Sequence, residues 1–183
     1  MTREAGFTLT ELMVTLTIVA ILTGIGVPSY KYITKSDRVS TEINALLGDL
    51  QFARAEAIRE GQTVNVCPAA DTNYTSCATT ADSWTGGWLV WTDLDGNGTL
   101  DAGEVLRVGQ AFSAHGSTDT LGWNGTVTAV AFNREGFASA LGGPTAYTLH
   151  DSTSNPNYTR CLTLQISGLA RTATHTSDPT NCN

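Results

Sequence analysis

The sequence predicts an α+β fold, in which one long N-terminal α-helix packs on an antiparallel β-sheet domain. Three observations indicate this fold: an apolar segment at residues 12–27, an amphipathic stretch at residues 30–61, and a series of short β-branched or aromatic runs after residue 62. The length of 183 residues allows one anchor helix and one globular domain, but not two full domains.

The apolar segment begins at Leu12, directly after Glu11, and ends at Val27. A bilayer span needs roughly 17–25 apolar residues, so this segment is near the lower limit for a membrane helix. An ionisable group at the edge of such a segment is energetically expensive and usually has a functional partner. Pro28 follows, and because proline lacks an N–H, we expect it to kink or interrupt the helix.

The N-terminal residues differ from a secretory signal, in which the small-residue cleavage site follows the apolar core. Here the small residues Ala5 and Gly6 precede it. Cleavage between Gly6 and Phe7 would leave the apolar segment on the mature protein, behind an aromatic residue with a free amine. Residues 6–14, GFTLTELMV, closely resemble the class III signal of type IV pilins and type II secretion pseudopilins.

This resemblance implies how the N-terminus is processed and used. In that family a prepilin peptidase cuts after the glycine and methylates the new N-terminal phenylalanine, which here implies cleavage after Gly6 and N-methylation of Phe7. Glu11 becomes the fifth mature residue, placed near the N-terminal amine of a neighbour in the filament core. A carboxylate and an amine attract each other far more strongly in a low-dielectric core than in water, which would set the axial register of the subunits.

The stretch from Tyr30 to Gly61 predicts an amphipathic continuation of the helix, with Gly61 as its C-terminal stop. We expect the apolar stripe of this half to lie across a sheet. The stripe has three- and four-residue spacing and consists of Ile43, Leu46, Leu47, Leu50, Ala53, Ala57 and Ile58.

Six runs bounded by Gly, Asn, Asp and Pro predict the strands of one antiparallel sheet. They are Thr63–Cys67, Gly87–Thr92, Glu104–Phe112, Val127–Asn133, Ala146–His150 and Arg160–Ser167.

The body of the chain carries a second resemblance. The sequence ARAEAI at residues 53–58, a strand ending in Cys67, and GGWLVW at residues 86–91 before an acidic loop resemble the GspH/FimT family of minor pilins and pseudopilins, including FimU- and FimT-like proteins. This similarity spans residues 45–110, with a weaker echo at residues 161–171. It implies the type IV pilin fold, divided into a leader at 1–6, an apolar membrane and filament-core helix at 7–28, an amphipathic helix at 29–61 and a disulfide-bonded β-sheet domain at 62–183.

All four cysteines lie in the predicted β-sheet domain, and four cysteines allow three pairings. The sequence does not choose strictly among them, although proximity favours Cys67 with Cys77 and Cys161 with Cys182. A zinc site is not expected, because the chain has no CxxC pair. Disulfide bonds imply an oxidising compartment such as the periplasm.

An acidic loop at residues 93–104 fits the calcium-loop pattern D-x-[DN]-x-[DN]-G-x₅-E. Its flanks are predicted strands rather than the helices of an EF-hand, so two interpretations stay open: a Ca²⁺ site or a metal-free solvated turn. The chain requires no other cofactor. The oxygen donors would be Asp93, Asp95, Asn97, Thr99 through its carbonyl, Asp101 and Glu104.

Charge and motif content argue against nucleic-acid binding and catalysis. The formal net charge is −7, which repels nucleic acid unless basic residues cluster locally. Some FimT-type proteins capture DNA through a Gly-Arg-x-Arg element, of which only Gly168 and Arg171 are present here. DNA is therefore not an expected partner, with Arg171 as the one candidate contact. The three scattered histidines, without HExxH or GxSxG, indicate that the chain is not an enzyme.

The resemblance implies a minor type IV pilin, a structural subunit of a priming or tip complex that supports pilus biogenesis, twitching motility or adhesion. Two alternatives stay open: a GspH-like minor pseudopilin of type II secretion, and a DNA-binding minor pilin of natural transformation. Expected partners are the prepilin peptidase and other minor and major pilins, bound through the N-terminal helix. The expected location is the bacterial inner membrane as a single-pass protein with a periplasmic domain, and then the fimbrium at the cell surface.

Overall fold

The structure is a computed structural model, and its described part forms two compact units, one ending at Asp37 and the other beginning at Arg38. Only Gly6 of the predicted leader falls within the described part. The side chains of Pro28 and Ser83 are not described. The residues described are 6–80, 83–125, 128–139, 141–180 and 182.

One helix and nine strands account for most of the described residues. Helix α1 is Leu9–Glu60, and the strands are β1 Val64–Pro68, β2 Gly87–Thr92, β3 Val105–Gln110, β4 Thr120–Trp123, β5 Val130–Phe132, β6 Ala138–Ser139, β7 Thr145–His150, β8 Arg160–Leu164 and β9 Ala170–Thr174. Short 3₁₀ turns occupy Ser83–Gly86, Phe112–His115 and Pro156–Tyr158.

Helix α1 is continuous for 52 residues, so the expected interruption at Pro28 does not occur. A proline removes one backbone hydrogen bond, and the many other hydrogen bonds of a long helix can keep the helix continuous at Pro28. The threonines of the first unit bond back to the helix, as when Thr17 Oγ1 donates to the Met13 carbonyl at 2.7 Å. The segment is long and apolar enough to cross a membrane, and its described side chains from Leu9 to Val27 are exposed.

In the second unit, α1 buries one apolar stripe. Ile58, predicted to belong to this stripe, is instead 52% exposed, and Leu47 is only partly buried. The buried members of the stripe are Val39, Ile43, Leu46, Leu50, Ala53 and Ala57.

The single predicted sheet is two antiparallel sheets among the described residues. Their strand orders are β3-β2-β1-β5-β6 and β4-β7-β8-β9. The prediction for β2 is correct at both ends, the predicted end of β7 and the predicted start of β8 are correct, and β1, β3 and β5 are found with different ends. Val127, the predicted start of the fourth run, lies outside the described residues. Strands β4, β6 and β9 were not predicted.

The core of the second unit joins α1 to both sheets. Its centre is an aromatic cluster, in which the Tyr147 ring lies 4.8 Å from that of Trp84 and 4.2 Å from that of Trp123. Two disulfide bonds, Cys67–Cys77 and Cys161–Cys182, have the pairing that sequence proximity favours. The second bond fixes Cys182, near the C-terminus, against strand β8.

Candidate functional site

The N-terminal end of α1 is capped by its own sequence. The Glu11 amide donates to Thr8 Oγ1 at 3.3 Å, and the Leu12 amide donates to the Thr8 carbonyl at 3.2 Å. Thr8 is therefore the N-cap residue and Glu11 is the third residue of the helix, the spacing of a capping box. A carboxylate in the first turn is also favoured by the helix dipole.

Gly6, Phe7 and Glu11 all lie in this exposed N-terminal region. The Phe7 side chain is 77% exposed, and Glu11 is exposed as well. Residues 1–5 are outside the described residues, so cleavage after Gly6 and methylation of Phe7 stay predictions. What the geometry offers is a carboxylate at the entrance of an unburied apolar helix. Such a group can pair with a cation of another molecule.

The acidic loop joins β2 to β3 and is built on two carboxylates that accept backbone N–H groups. Asp93 accepts from the amides of Gly96 at 2.8 Å and Gly98 at 2.9 Å. Glu104 is only 4% exposed. Its two oxygens accept from the amides of Leu94 at 2.8 Å and Asp101 at 2.9 Å. The loop is therefore ordered around its first and last carboxylates.

The loop brings three of the six predicted oxygen donors together. Carboxylate oxygens of Asp93, Asp95 and Glu104 lie within 4.8 Å of one another. The Asn97 side-chain amide donates to Asp95 at 2.9 Å and to Asp101 at 2.6 Å, and so links these two carboxylates. Hard oxygen donors at this density suit Ca²⁺. Asn97 turns its amide nitrogen toward two of the carboxylates, and its Oδ1 accepts from the Thr99 amide at 2.7 Å. Calcium binding by the loop stays a prediction.

The C-terminal residues Arg160 and Arg171 each contact groups of this chain. Arg171 is 3.9 Å from Asp178 and its side chain is 71% exposed. Arg160 donates to Ser40 Oγ at 3.3 Å and to the Thr159 carbonyl at 3.0 Å. Phosphate affinity requires several cationic contacts. That DNA is not a partner stays a prediction.

Sequence reasoning missed a charged cluster with two buried carboxyl groups in the second unit. Arg38 on α1 donates two hydrogen bonds to Asp119, at 2.9 and 2.6 Å. Glu42, one turn further along α1, is 9% exposed, and Asp119 is 1% exposed. Because 81 residues separate Arg38 from Asp119, no local pattern in the sequence identifies the pair.

Glu42 is the unusual member of this cluster. Among the described residues, its Oε2 atom is buried and accepts no hydrogen bond. The pKa of Glu42 is raised from 4.5 to about 7, chiefly by burial and also by the charge of Asp119 and a hydrogen bond with it, while a hydrogen bond from Ser117 opposes the shift. The Asp119 carboxylate also raises the pKa of Arg38 by accepting its hydrogen bonds. The cluster thus has two carboxyl groups for one guanidinium.

Two parts of the chain match known families. Residues 42–170 match the family described as Type II transport protein GspH. Residues 1–27 match the family described as Prokaryotic N-terminal methylation motif. A search of curated protein sequences finds no significant match.

Solved structures with a similar fold include two bacterial proteins. Two crystal forms of the type IV minor pilin FimU of Pseudomonas aeruginosa PAO1 are 18% and 17% identical to the chain, with TM-scores of 0.59 and 0.61. They cover 79% and 82% of this chain and 99% of FimU. The minor pseudopilin EpsH of the type 2 secretion system of Vibrio cholerae is 15% identical, with a TM-score of 0.52, covering 75% of this chain and 97% of EpsH. At these identities the likeness shows the fold, and it confirms the predicted fold class.

Proposed function

We propose, from the premise that the chain belongs to the GspH family of type II transport proteins, that it is a minor type IV pilin. In this role it is a structural subunit of a priming or tip complex. The coarser assignment, to a minor pilin or minor pseudopilin, follows from the family together with the fold shared with FimU and EpsH.

The observation that carries the proposal is the N-terminal half of α1. A methylation motif at residues 1–27 leads directly into a helix whose described apolar side chains, from Leu9 to Val27, are all exposed. Exposed apolar area of this extent is unstable in water, at about 25 cal/mol per Å², so the segment requires a bilayer or other helices around it. A pilin has both in turn: the inner membrane before assembly and the filament core afterwards.

The proposal extends to location and partners. The domain from residue 62 onward would face the periplasm, where its two disulfide bonds are stable. The prepilin peptidase would process the N-terminus, and other pilins would contact α1. The protein would act without catalysis.

A minor pseudopilin of type II secretion is the second candidate, because the matched family is itself described as a type II transport protein. The two candidates share processing, membrane insertion and fold, and they differ in the filament that they enter. The phenotype of a deletion therefore separates them.

The test is a clean deletion in the bacterium that carries the chain, with surface pili, twitching and secreted hydrolases measured in the same cultures. We expect loss of pili and twitching with secretion intact, restored by the intact gene. Loss of secretion with normal pili would instead assign the protein to the type II system. Normal pili and normal secretion would contradict both candidates.

We also propose that the loop at residues 93–104 binds Ca²⁺ when the ion is abundant outside the cytoplasm. The supporting observation is the proximity of the Asp93, Asp95 and Glu104 carboxylates. Binding would replace repulsion among these groups by coordination, and so order the loop rather than drive chemistry. Extracellular calcium modules have dissociation constants of about 10⁻⁴ to 10⁻³ M, the range we expect here.

Calorimetry and thermal unfolding of the full chain in detergent micelles test this second proposal. We expect heat of binding and a raised Tm with Ca²⁺ at millimolar concentration, and about tenfold weaker binding for Asp95→Asn, since charge count sets affinity. Asp71→Asn is the matched control, because Asp71 also accepts hydrogen bonds within an exposed turn but lies outside the loop. No heat and no stabilisation for the unaltered chain would show that the loop is a metal-free turn.

A further inference from the structure

Strand β3 is the outer strand of the five-stranded sheet. It has six residues, and its apolar side chains Leu106 and Val108 are 36% and 42% exposed. An outer strand directs alternate N–H and C=O groups away from its sheet, where another chain can pair with them. Among the residues that the structure describes, no group outside β2 hydrogen-bonds to the main chain of β3 between Leu106 and Gln110. The outward main-chain groups of this edge are therefore open to another chain.

The other outer strands are β6, β4 and β9, and this chain itself occupies part of each edge. The Ala138 amide of β6 donates to the Ile166 carbonyl at 2.9 Å. The Leu121 amide of β4 donates to Thr85 Oγ1 at 2.9 Å, and the last amide of β9 donates to Ser177 Oγ at 3.0 Å. Natural proteins protect sheet edges in such ways, so the exposed apolar edge of β3 indicates a binding surface.

A groove of about 570 Å³ lies beside the edge of β3, between this strand and α1. We call it the α1–β3 groove. On the α1 side its lining extends from Arg38 to Asp49, about 16 Å along the axis at a rise of about 1.5 Å per residue. An extended chain advances about 3.3 Å per residue, so the groove is as long as a strand of about five residues. Beside it, β3 pairs regularly with β2 from Arg107 to Gln110.

The arginine and the acids that line the groove are engaged within this chain. Arg38 donates two hydrogen bonds to Asp119. Asp49 accepts from Trp88 Nε1 at 2.8 Å, and Glu42 is only 9% exposed. What the groove offers to another molecule is therefore a row of main-chain groups beside small and apolar side chains.

These small and apolar side chains leave room for another strand. Ala45 on α1 is exposed. Across from it, a Cβ atom at Gly109 would lie 2.0 Å from the Trp88 ring, so glycine is required and the strand has no side chain there. Val108 and Phe112 also line the groove. A chain that enters can thus approach β3 closely, as glycine positions in strands often allow.

We propose that an extended segment of a neighbouring filament subunit adds to the free edge of β3 and fills the α1–β3 groove. The proposal rests on the function proposed above, which supplies the neighbour. Main-chain hydrogen bonds to β3 provide the affinity, and alternate side chains facing Ala45 and Phe112 provide the specificity. A helix or a lipid chain fills the groove less well, because neither has free main-chain groups to pair with the edge.

A model peptide tests the pairing without requiring a filament. The probe is acetyl-TVAVT-amide at millimolar concentration, added to the full chain in detergent micelles, and the readout is the NMR resonances of the β3 amides. The same peptide N-methylated at its three central residues lacks donors on both edges and is the matched control. We expect saturable shifts with the first peptide alone, and amide exchange in β3 at least about tenfold slower. Equal shifts from both peptides, or none from either, would overturn the proposal.

Two variants of α1 assign the binding to the groove. Ala45→Phe places a ring in the groove and should weaken peptide binding at least about tenfold. Ala55→Phe is the matched control, because Ala55 is an exposed alanine of α1 that does not line the groove. Equal Tm values of the two variants would show that both keep the fold. Unchanged binding by Ala45→Phe would show that the peptide lies elsewhere and would contradict the proposal.

A photo-crosslinking amino acid tests the groove in cells. It is placed at Val108 or Ala45, on the two walls of the groove, or at Thr153 in an exposed loop. We expect Val108 and Ala45 to crosslink to one short segment of another filament subunit, and Thr153 not to reach that segment. Filament entry without such a crosslink, or with crosslinks to lipid alone, would overturn the strand addition and leave the proposed function intact. Absence of the unaltered chain from any filament would instead overturn the proposed function.

Discussion

Arg54 is a single residue that holds together two turns from different sheets. Its Nε atom donates to the Gly136 carbonyl in the β5–β6 turn at 3.0 Å. It also packs beside Gly168 of the β8–β9 turn, where a Cβ atom would lie 2.9 Å from Arg54 Nε. Arg54 and Gly168 belong to two separate parts of the sequence resemblance to the GspH/FimT family. The two parts meet at this junction.

Replacing Gly168 by alanine should destabilise this junction. Gly168 has a φ of +76°, and a Cβ atom would lie 2.1 Å from the Gly136 carbonyl oxygen. Backbone strain and overlap together should lower the free energy of unfolding by about 1–3 kcal/mol, measured by chemical denaturation in micelles. Gly142→Ala is the matched control, since no atom lies within 4 Å of its Cβ position. Equal stability of the two variants would contradict this account of the junction.

Glu42 should make the stability of the second unit depend on pH. Its pKa is raised from 4.5 to about 7 in the folded protein. Between these values the folded state keeps a proton that the unfolded chain releases. The stabilisation is therefore complete below the lower value and is lost as the pH rises through about 7, by at most about 1.4 kcal/mol per pH unit.

The variant Glu42→Gln should remove this component of the pH dependence. Because its amide stays neutral, the variant should unfold at a higher temperature than the unaltered chain above about pH 7. Glu60→Gln, a change to an exposed carboxylate at the end of α1, should leave the profile unchanged. The measurement is Tm against pH for the three proteins. A Glu42→Gln profile parallel to that of the unaltered chain would disprove the assignment.

At the scale of elements, the disulfide Cys161–Cys182 fixes the end of the chain to β8 across 21 residues. Closing a loop of this length stabilises the folded state by about 3 kcal/mol in the chain-entropy account. The double variant with alanine at both positions should lose about this amount, measured by denaturant unfolding of the oxidised proteins. A loss below about 1 kcal/mol would show that other contacts already hold the C-terminal segment.

Elements with strong local patterns could be predicted from the sequence, and elements defined by pairing could not. Strand β2 is apolar and bounded by turn residues, so both of its ends were correct. Strand β9 is a short outer strand without large apolar residues, and β6 has only two residues. The division into two sheets depends on pairings between distant segments, such as Val64 with Phe132, which no local window contains.

The same contrast applies to the candidate sites. The acidic loop and the N-terminal motif are contiguous, so Asp93 could be proposed from a spacing pattern and Glu11 from the resemblance of the motif. The charged cluster depends on Arg38 and Glu42 meeting Asp119, which only the folded chain brings together. The prediction that Ile58 belongs to the buried stripe was wrong for a related reason. Periodicity places Ile58 at the edge of the stripe, and the neighbouring elements leave that edge uncovered.

At the scale of the whole molecule, the two compact units have different roles in the proposed function. The first unit has no buried apolar side chain between Leu9 and Val27, whereas the second has a core that joins α1 to both sheets. The second unit therefore contains the packing needed for folding, and the first contains the apolar surface needed for the membrane and the filament. A change to the charge of the first unit should then affect assembly without affecting the fold.

Glu11 is where this separation can be tested. Its backbone belongs to the Thr8 cap, while its carboxylate is exposed at the start of the apolar segment. Glu11→Gln retains a side chain that fits a capping box and removes the charge, whereas Glu11→Ala removes both. If the carboxylate pairs with the amine of a neighbour in a low-dielectric core, both variants should insert into the membrane and fail to enter filaments.

The measurement is the amount of each variant in sheared filaments relative to the amount in the membrane fraction. Thr10→Ala, a neutral change beside Glu11, should enter filaments like the unaltered chain. Filament entry by Glu11→Gln but not by Glu11→Ala would mean that the side chain acts through the helix cap. Normal entry by both would remove Glu11 from assembly altogether, and would leave the apolar surface of the first unit as the sole determinant of packing in the filament core.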